Sequence, residues 1–316
     1  MSYDESPASP AGDRTPPRSL PPLAPEAADT VQRAQPWLGT LVRIGVQGLD
    51  PAAAHAAIER GFAAIAAHHA LMSFHDDRSE LNRLNREAAT RAVATDHRVL
   101  EVLRLALAMA EASDGVFDPT IAPRLVEWGF LPAPGAAPVP DPQANWRDIE
   151  LDDDRVRFRR ALWIDLGGIA KGDAVDAALA AMALPAEAQV CIDAGGDLRV
   201  AGPRPQRVVL NASAQQAAAL PVLELTDGAV ASSTGLPARR RHASRWIGPH
   251  LHGRYRQAVA VDRFASVAAP RCATADALTK IALAIDADAA AVCRQFAATA
   301  HVFSSDSGWR SFGRDA

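Results

Sequence analysis

The stretch Trp163-Ile164-Asp165-Leu166-Gly167-Gly168-Ile169-Ala170-Lys171-Gly172 decides how this chain is read. Its first half alternates as a strand does, Gly167-Gly168 makes a tight turn, and a helix opens at Ile169. Glycines at such a turn let backbone approach an anion, and a helix N-terminus offers unpaired N–H groups with a partial positive charge. Lys171 in the first helical turn opposes the helix dipole, so something negative is expected beside it. The P-loop spacing is absent. On pattern alone an ordinary strand-to-helix connection reads equally well.

Outward from that stretch, a helix is expected over 169–183 and a strand over 189–193, which runs into Ala194-Gly195-Gly196-Asp197. A Gly-Gly-Asp turn between two strands is by itself hairpin chemistry. Upstream, 161–166 and 41–46 read as strands. Asp50-Pro51 opens an alanine-rich helix to Leu71, with Ile58, Phe62 and Ile65 at helical spacing. A helix over 96–112 carries Leu100, Leu103 and Leu107 on one stripe and is closed by Gly115. Residues 131–142 are a Pro, Ala and Gly loop. Downstream come strands at 207–211, 222–225, 264–268 and finally 300–304, with helices near 275–284 and 287–297. The elements intermix without regular alternation. That predicts an α+β (mixed α/β) unit with mixed sheets and flanking helices, rather than a Rossmann fold or TIM barrel. Seven prolines between Pro7 and Pro25 make 1–34 a disordered tail, leaving one domain over 35–316.

Composition narrows the function. With 316 residues, 48% hydrophobic, the chain has a real core. A net charge of -4 gives no footprint for nucleic acid. The basic residues are arginine except for Lys171 and Lys280, which marks two places where a compact ammonium on a flexible stem is wanted. Cys191, Cys272 and Cys293 lie far apart, which predicts buried thiols rather than disulfides or zinc. No secretory pattern and no apolar run long enough to span a bilayer is seen. A cytoplasmic chain is therefore expected.

Three smaller constellations complete the reading. In Cys272-Ala273-Thr274-Ala275-Asp276-Ala277-Leu278-Thr279-Lys280, Thr274 is a possible N-cap, and Asp276, Thr279 and Lys280 share one helical face. The plain alternative is an exposed Asp–Lys pair worth a few tenths of a kcal/mol. His68 and His69 are adjacent and cannot form an i, i+4 metal pair. Ser232 and Ser233 lack the nucleophile-elbow pattern of serine hydrolases.

Seven stretches in order then carry a resemblance: LGT (38–40), MSFHDDRSELNRLN (72–85), GVFDPTIAPRLVEWGF (115–130), IDLGGIAKGDAVD (164–176), IDAGGDLRVAG (192–202), VASSTG (230–235) and ATADAL (273–278). Together the sequence resembles the ApbE family, the FAD:protein FMN transferases, from about residue 37 to 284. The resemblance implies attack on the pyrophosphate of FAD by a threonine of an acceptor flavoprotein, giving phosphoester-linked FMN and AMP. It implies cofactor contacts from Leu38, Phe74, Val116, Phe117, Asp118, Asp165, Lys171, Gly195 and Gly196. Phe74 would face a ring system of FAD. The Gly168 carbonyl and Asp276 would be ligands of Mg2+, and Asp276 would also orient or deprotonate the incoming hydroxyl. By family analogy a periplasmic location is also open.

Two departures stand out. Lys280 occupies a position where the family usually has a metal-binding threonine. An ammonium there would repel a divalent ion or take over part of its work against the pyrophosphate, which adds Lys280 to the catalytic set. The family's HxIDPxTG stretch is replaced by an Arg- and His-rich run over 239–254, which either supplies other phosphate or flavin contacts or is a solvated loop. Two rival functions remain open on the sequence: a non-catalytic FAD-binding protein, and an FAD pyrophosphatase. The acceptor's identity and the oligomeric state are not legible.

Overall fold

The computed structural model describes residues 30–212 and 220–314. Eight strands form one sheet: β1 (Val31–Trp37), β2 (Thr40–Gln47), β3 (Gln189–Ala194), β4 (Asp197–Ala201), β5 (Gly228–Thr234), β6 (Phe264–Ala269), β7 (Thr299–Ser304) and β8 (Gly308–Gly313). Their order across the sheet is their order along the chain, and every neighbouring pair is antiparallel. The helices are insertions into this meander. Between β2 and β3 come α1 (Pro51–Met72), α2 (Glu80–Glu87), α3 (His97–Ala112), α4 (Ala122–Glu127) and α5 (Ala170–Met182). Between β6 and β7 come α6 (Cys272–Ile285) and α7 (Ala290–Gln295). The α+β class holds, with antiparallel pairing where mixed sheets were expected.

Local chemistry accounts for the best-formed elements. Asp50 caps α1 by accepting from the Ala53 N–H, and Pro51 is its first residue. Asp96 caps α3 in the same way through Arg98. The face of α1 that carries Ile58, Phe62, Ile65 and Met72 is buried, with Ile58, Phe62 and Ile65 packed in one core with Val42, Ile44 and Val46 of β2. A second core joins α2, α3 and α6 with β6 and β7.

Several expectations are corrected. Of the tail expected over 1–34, residues 31–34 belong instead to β1, whose ladder from Val31↔Val46 to Trp37↔Thr40 satisfies the backbone of an otherwise polar segment. Residues 1–29 lie outside the described residues. The stretch 161–166 is extended but not a strand. Its backbone partners include the Asn85 side chain, which bonds both the N–H and the carbonyl of Ile164 (2.8 and 3.1 Å), the Pro119 carbonyl, which accepts from the Asp165 N–H, and the Asp141 N–H, which donates to the Ala161 carbonyl. Thr274 is not an N-cap but a buried residue inside α6, whose N-cap is Arg271. The 300–304 strand is not the last, since β8 pairs with it. Among the described residues, no helix is long and apolar enough to cross a membrane.

Candidate active site

The site forms where α5 and α6 meet. Gly172, in the first turn of α5, allows the contact: a Cβ there would stand 2.4 Å from the Cys272 carbonyl oxygen. At that distance the two helices exchange caps. Asp176 of α5 accepts from the Cys272 and Ala273 N–H groups (2.9 and 3.0 Å), and Asp276 of α6 accepts from the Gly172 N–H (3.2 Å). Two positive helix ends are thereby brought side by side.

Both lysines of the chain lie at this junction. Lys171 Nζ is 3.0 Å from Asp197 Oδ1, and the other Asp197 oxygen has no hydrogen-bond partner. The negative neighbour expected of Lys171 is thus the carboxylate that ends the Gly195-Gly196 turn. Lys280 Nζ donates to Asp276 Oδ1, to Ser233 Oγ (3.0 Å) and to Thr279 Oγ1 (3.1 Å). Those two hydroxyls also bond one another at 2.8 Å. Asp276 is fully buried while the Lys280 side chain keeps 18% exposure, so the plain reading of a surface pair does not hold.

Charges follow from this packing. Burial, together with the charge of Asp276, pushes Asp197 up to about 7. Burial works against the charge of Lys171, but Asp197 and Asp276 hold it above the usual lysine value. Burial also works against Asp276, yet Lys280 and Lys171 hold it below the usual carboxylate range. His250 is half-buried. Burial, and then the charge of Lys280, bring it down to about 4.

Several of the other expected residues connect to this junction through direct neighbours. Leu38 and Gly39 form the β1–β2 hairpin with φ of 56° and 73°, and a leucine held in the left-handed region marks a constrained tip. Leu38 lines a cleft with Pro36, Trp37, Thr40 and His69. Thr40 lies against Gly195, where φ is 67° and a Cβ would stand 2.2 Å from the Thr40 hydroxyl, so only glycine fits. Gly196 accepts from the Ser232 N–H at 2.9 Å, next to Ser233 and hence Lys280. Beside Gly168 stand Lys280 and the Phe117 ring, 3.7 and 3.3 Å from where a Cβ would be. Asp165 accepts from the Gly167 N–H at 3.0 Å, and burial raises its carboxyl. Val116 and Phe117 are buried, and the Phe117 N–H donates to Ser113 Oγ.

Asp118 is buried and bonded by Thr120 and by Arg256 (2.9 Å). Burial raises it, with Arg256 opposing. Phe74 is buried within the α2–α3 core, its carbonyl held by Asn82 at 2.8 Å.

Part of the 239–254 run makes contacts within the chain that neither of its two readings describes. Arg240 bonds the Gly129 carbonyl, Arg254 pairs with Asp114, and the Gly253 N–H donates to the Val116 carbonyl, so this run clamps the 115–130 stretch. Arg241 and Arg245 are exposed. The three cysteines are buried free thiols, as expected. His68 pairs with Asp173 at 3.3 Å. Sequence reading passes over Asp176, Asp197, Ser233, His250 and Arg256 as site residues. The first three sit inside quoted stretches and His250 inside the 239–254 run, whereas Arg256 carries no local signal.

An antiparallel meander whose inserted helices converge, capped by each other, on a buried lysine–carboxylate cluster defines the class. The chain belongs to the ApbE family, whose profile matches residues 38–303. Among similar proteins is the FAD:protein FMN transferase of Treponema pallidum, 31% identical over 189 residues that cover 54% of this chain and 51% of that one. The FAD:protein FMN transferase of Vibrio cholerae is 26% identical over 187 residues, covering 51% and 53%. The chain thus spans about half the length of these curated relatives. The solved ApbE protein of Thermotoga maritima superposes with a TM-score of 0.76 at 25% identity, covering 90% of this chain and 97% of that one. The flavin transferase ApbE of Vibrio cholerae has the same fold, with a TM-score of 0.73 at 21% identity and coverage of 92% and 98%.

Proposed function

We propose that this chain is an FAD:protein FMN transferase with FAD as substrate. The observation that carries the reading is the pair of ammonium groups, Lys171 and Lys280, held on buried carboxylates where the N-termini of α5 and α6 converge. Such an arrangement is preorganised for a pyrophosphate, because its positive groups are fixed before the anion arrives. The names of its relatives support the same reading.

In this reaction the acceptor threonine oxygen attacks the FMN-side phosphorus of FAD. A new P–O bond forms, the bridging P–O bond breaks, AMP leaves with that electron pair, and the hydroxyl proton is released. Asp276, ionised and already accepting from Gly172 and Lys280, keeps a second lone pair on each oxygen, and one of these accepts a hydrogen bond from the hydroxyl and orients it for in-line attack. In this reading Leu38, Gly195 and Gly196 border the flavin nucleotide, and Val116, Phe117, Asp118 and Asp165 contribute further contacts to it.

The residues here do not fit the Mg2+ expected from the family. Asp276 spends one oxygen on the Gly172 N–H and the other on Lys280, and the methylene stem of Lys280 packs beside Gly168. Among the described residues no group of three or more His, Cys, Asp or Glu could hold a metal. The chain's own lysines and helix ends therefore face the pyrophosphate charge.

The test is incubation of the chain with FAD and a flavoprotein domain that carries the acceptor threonine. Covalent flavin fluorescence on that domain with equimolar AMP is the expected result. AMP and FMN without labelling would replace the reading with a pyrophosphatase. FAD binding without turnover would replace it with a binding protein.

A further inference from the structure

We propose that the Lys280 ammonium is the resident cation of this site, standing where relatives would place a divalent ion and making the chain's site metal-independent. This rests on the flavin-transfer reading for its consequence, though not for its geometry.

An ammonium has three N–H donors and no acceptor. Here all three are spent on oxygens: Asp276 Oδ1, Ser233 Oγ and Thr279 Oγ1. Those oxygens come from two elements, α6 and β5, so the cation is fixed by tertiary structure and not by a flexible stem alone. Its carboxylate partner is fully buried and tied from behind by Gly172, so the pair cannot be replaced by water without leaving a buried charge. A divalent ion on Asp276 Oδ1 would lie within contact distance of the ammonium, where like charges in a poorly solvated pocket repel strongly.

Lys280 can still reach a phosphate. Ser233 and Thr279 bond each other at 2.8 Å, so exchanging either of them for a phosphate oxygen leaves neither hydroxyl unpaired. The partly exposed edge of the Lys280 side chain provides the approach. In the transfer reaction the ammonium then faces the negative charge that gathers on the pyrophosphate oxygens as the bond to AMP breaks.

The experiment uses the full chain after EDTA treatment, with Mn2+ as the probe read by electron paramagnetic resonance, with and without FAD, alongside transfer assays in EDTA and in millimolar Mg2+. The wild-type chain is expected to bind no stoichiometric Mn2+, and its transfer rate to change less than about twofold between EDTA and Mg2+. Lys280→Thr is expected to gain a saturable Mn2+ site and to need Mg2+ for activity, with at least about tenfold activation. One tightly held Mn2+ on the wild-type chain, or transfer abolished by EDTA, would overturn the proposal. If the wild type transfers no FMN in any buffer, the flavin-transfer reading fails. The Mn2+ measurement still decides the resident cation and needs no variant to fold.

Discussion

Asp176 and Asp276 lie on different helices, and each carboxylate closes the N-terminus of the helix that carries the other. This exchange fixes the axial register of α5 against α6. It thereby sets where Lys171 and Lys280 stand, since each lysine is within a few residues of one cap. A site built this way depends on how closely the two backbones approach.

That approach makes Gly172→Ala diagnostic. Alanine should favour the helix by about 1 kcal/mol over glycine, but its methyl would overlap the Cys272 carbonyl. Overpacking against backbone costs about 2–3 kcal/mol, so a net loss of stability is expected. A raised melting temperature in the variant would show that α5 and α6 do not meet as described.

Lys280→Met should lower stability by about 3–5 kcal/mol, because it strands the buried Asp276 charge. Adding Asp276→Asn should recover part of that loss, with a coupling of about 1–3 kcal/mol in urea unfolding. Strict additivity of the two variants would mean that the pair is solvated.

Among the described residues Lys171 is the ion-pair partner of the Asp197 carboxylate. In Lys171→Met the Asp197 carboxyl should be protonated well above neutral pH, and FAD affinity should fall at least about tenfold. Fluorescence titration of FAD checks this, and unchanged affinity would remove Lys171 from the nucleotide site.

His250 gives a pH dependence with a definite sign. Its folded value of about 4 lies below that of an ordinary histidine, so as the pH falls from about 6.5 toward 4 the unfolded chain takes up a proton that the native chain does not. The stability it contributes is present above about 6.5 and is lost on acidification, on the order of 2 kcal/mol. Urea midpoints at pH 7.5 and pH 5 should therefore differ more for the wild type than for His250→Gln, once both are measured in the same salt.

Burial pushes Cys191 up to about 12 and Cys293 up to about 11, and it raises Cys272 well above an ordinary thiol. All three should be silent to a thiol reagent at pH 8 in the native chain and should react together in denaturant. A fast-reacting thiol in the native protein would contradict their burial.

Much of the fold is legible in the residues themselves. The caps Asp50 and Asp96, the helices they start, the Gly195-Gly196 hairpin and the demand of Lys171 for a negative neighbour all follow from local chemistry. So does the α+β class. The 161–166 stretch reads as a strand because its alternation is real, with Leu162, Ile164 and Leu166 buried in turn. What the pattern cannot reveal is that its hydrogen-bond partner is the side chain of Asn85 rather than another strand.

The sequence by itself determined that Asp276, Thr279 and Lys280 share a helical face, since i, i+3 and i+4 are neighbours on any α-helix. It did not determine whether that face meets water or protein. Only the packing of α6 against α5 and β5 buries Asp276 and brings Ser233 to Lys280, and only the packing of α5 on β4 sets Asp197 beside Lys171. Burial is a property of what lies opposite, and residues 233 and 280 are brought opposite each other by the sheet. On an isolated helix Lys280 and Asp276 would be a surface ion pair and Lys171 would have no Asp197 beside it; here both ammoniums are fixed charges because the tertiary fold removes the water around their partners.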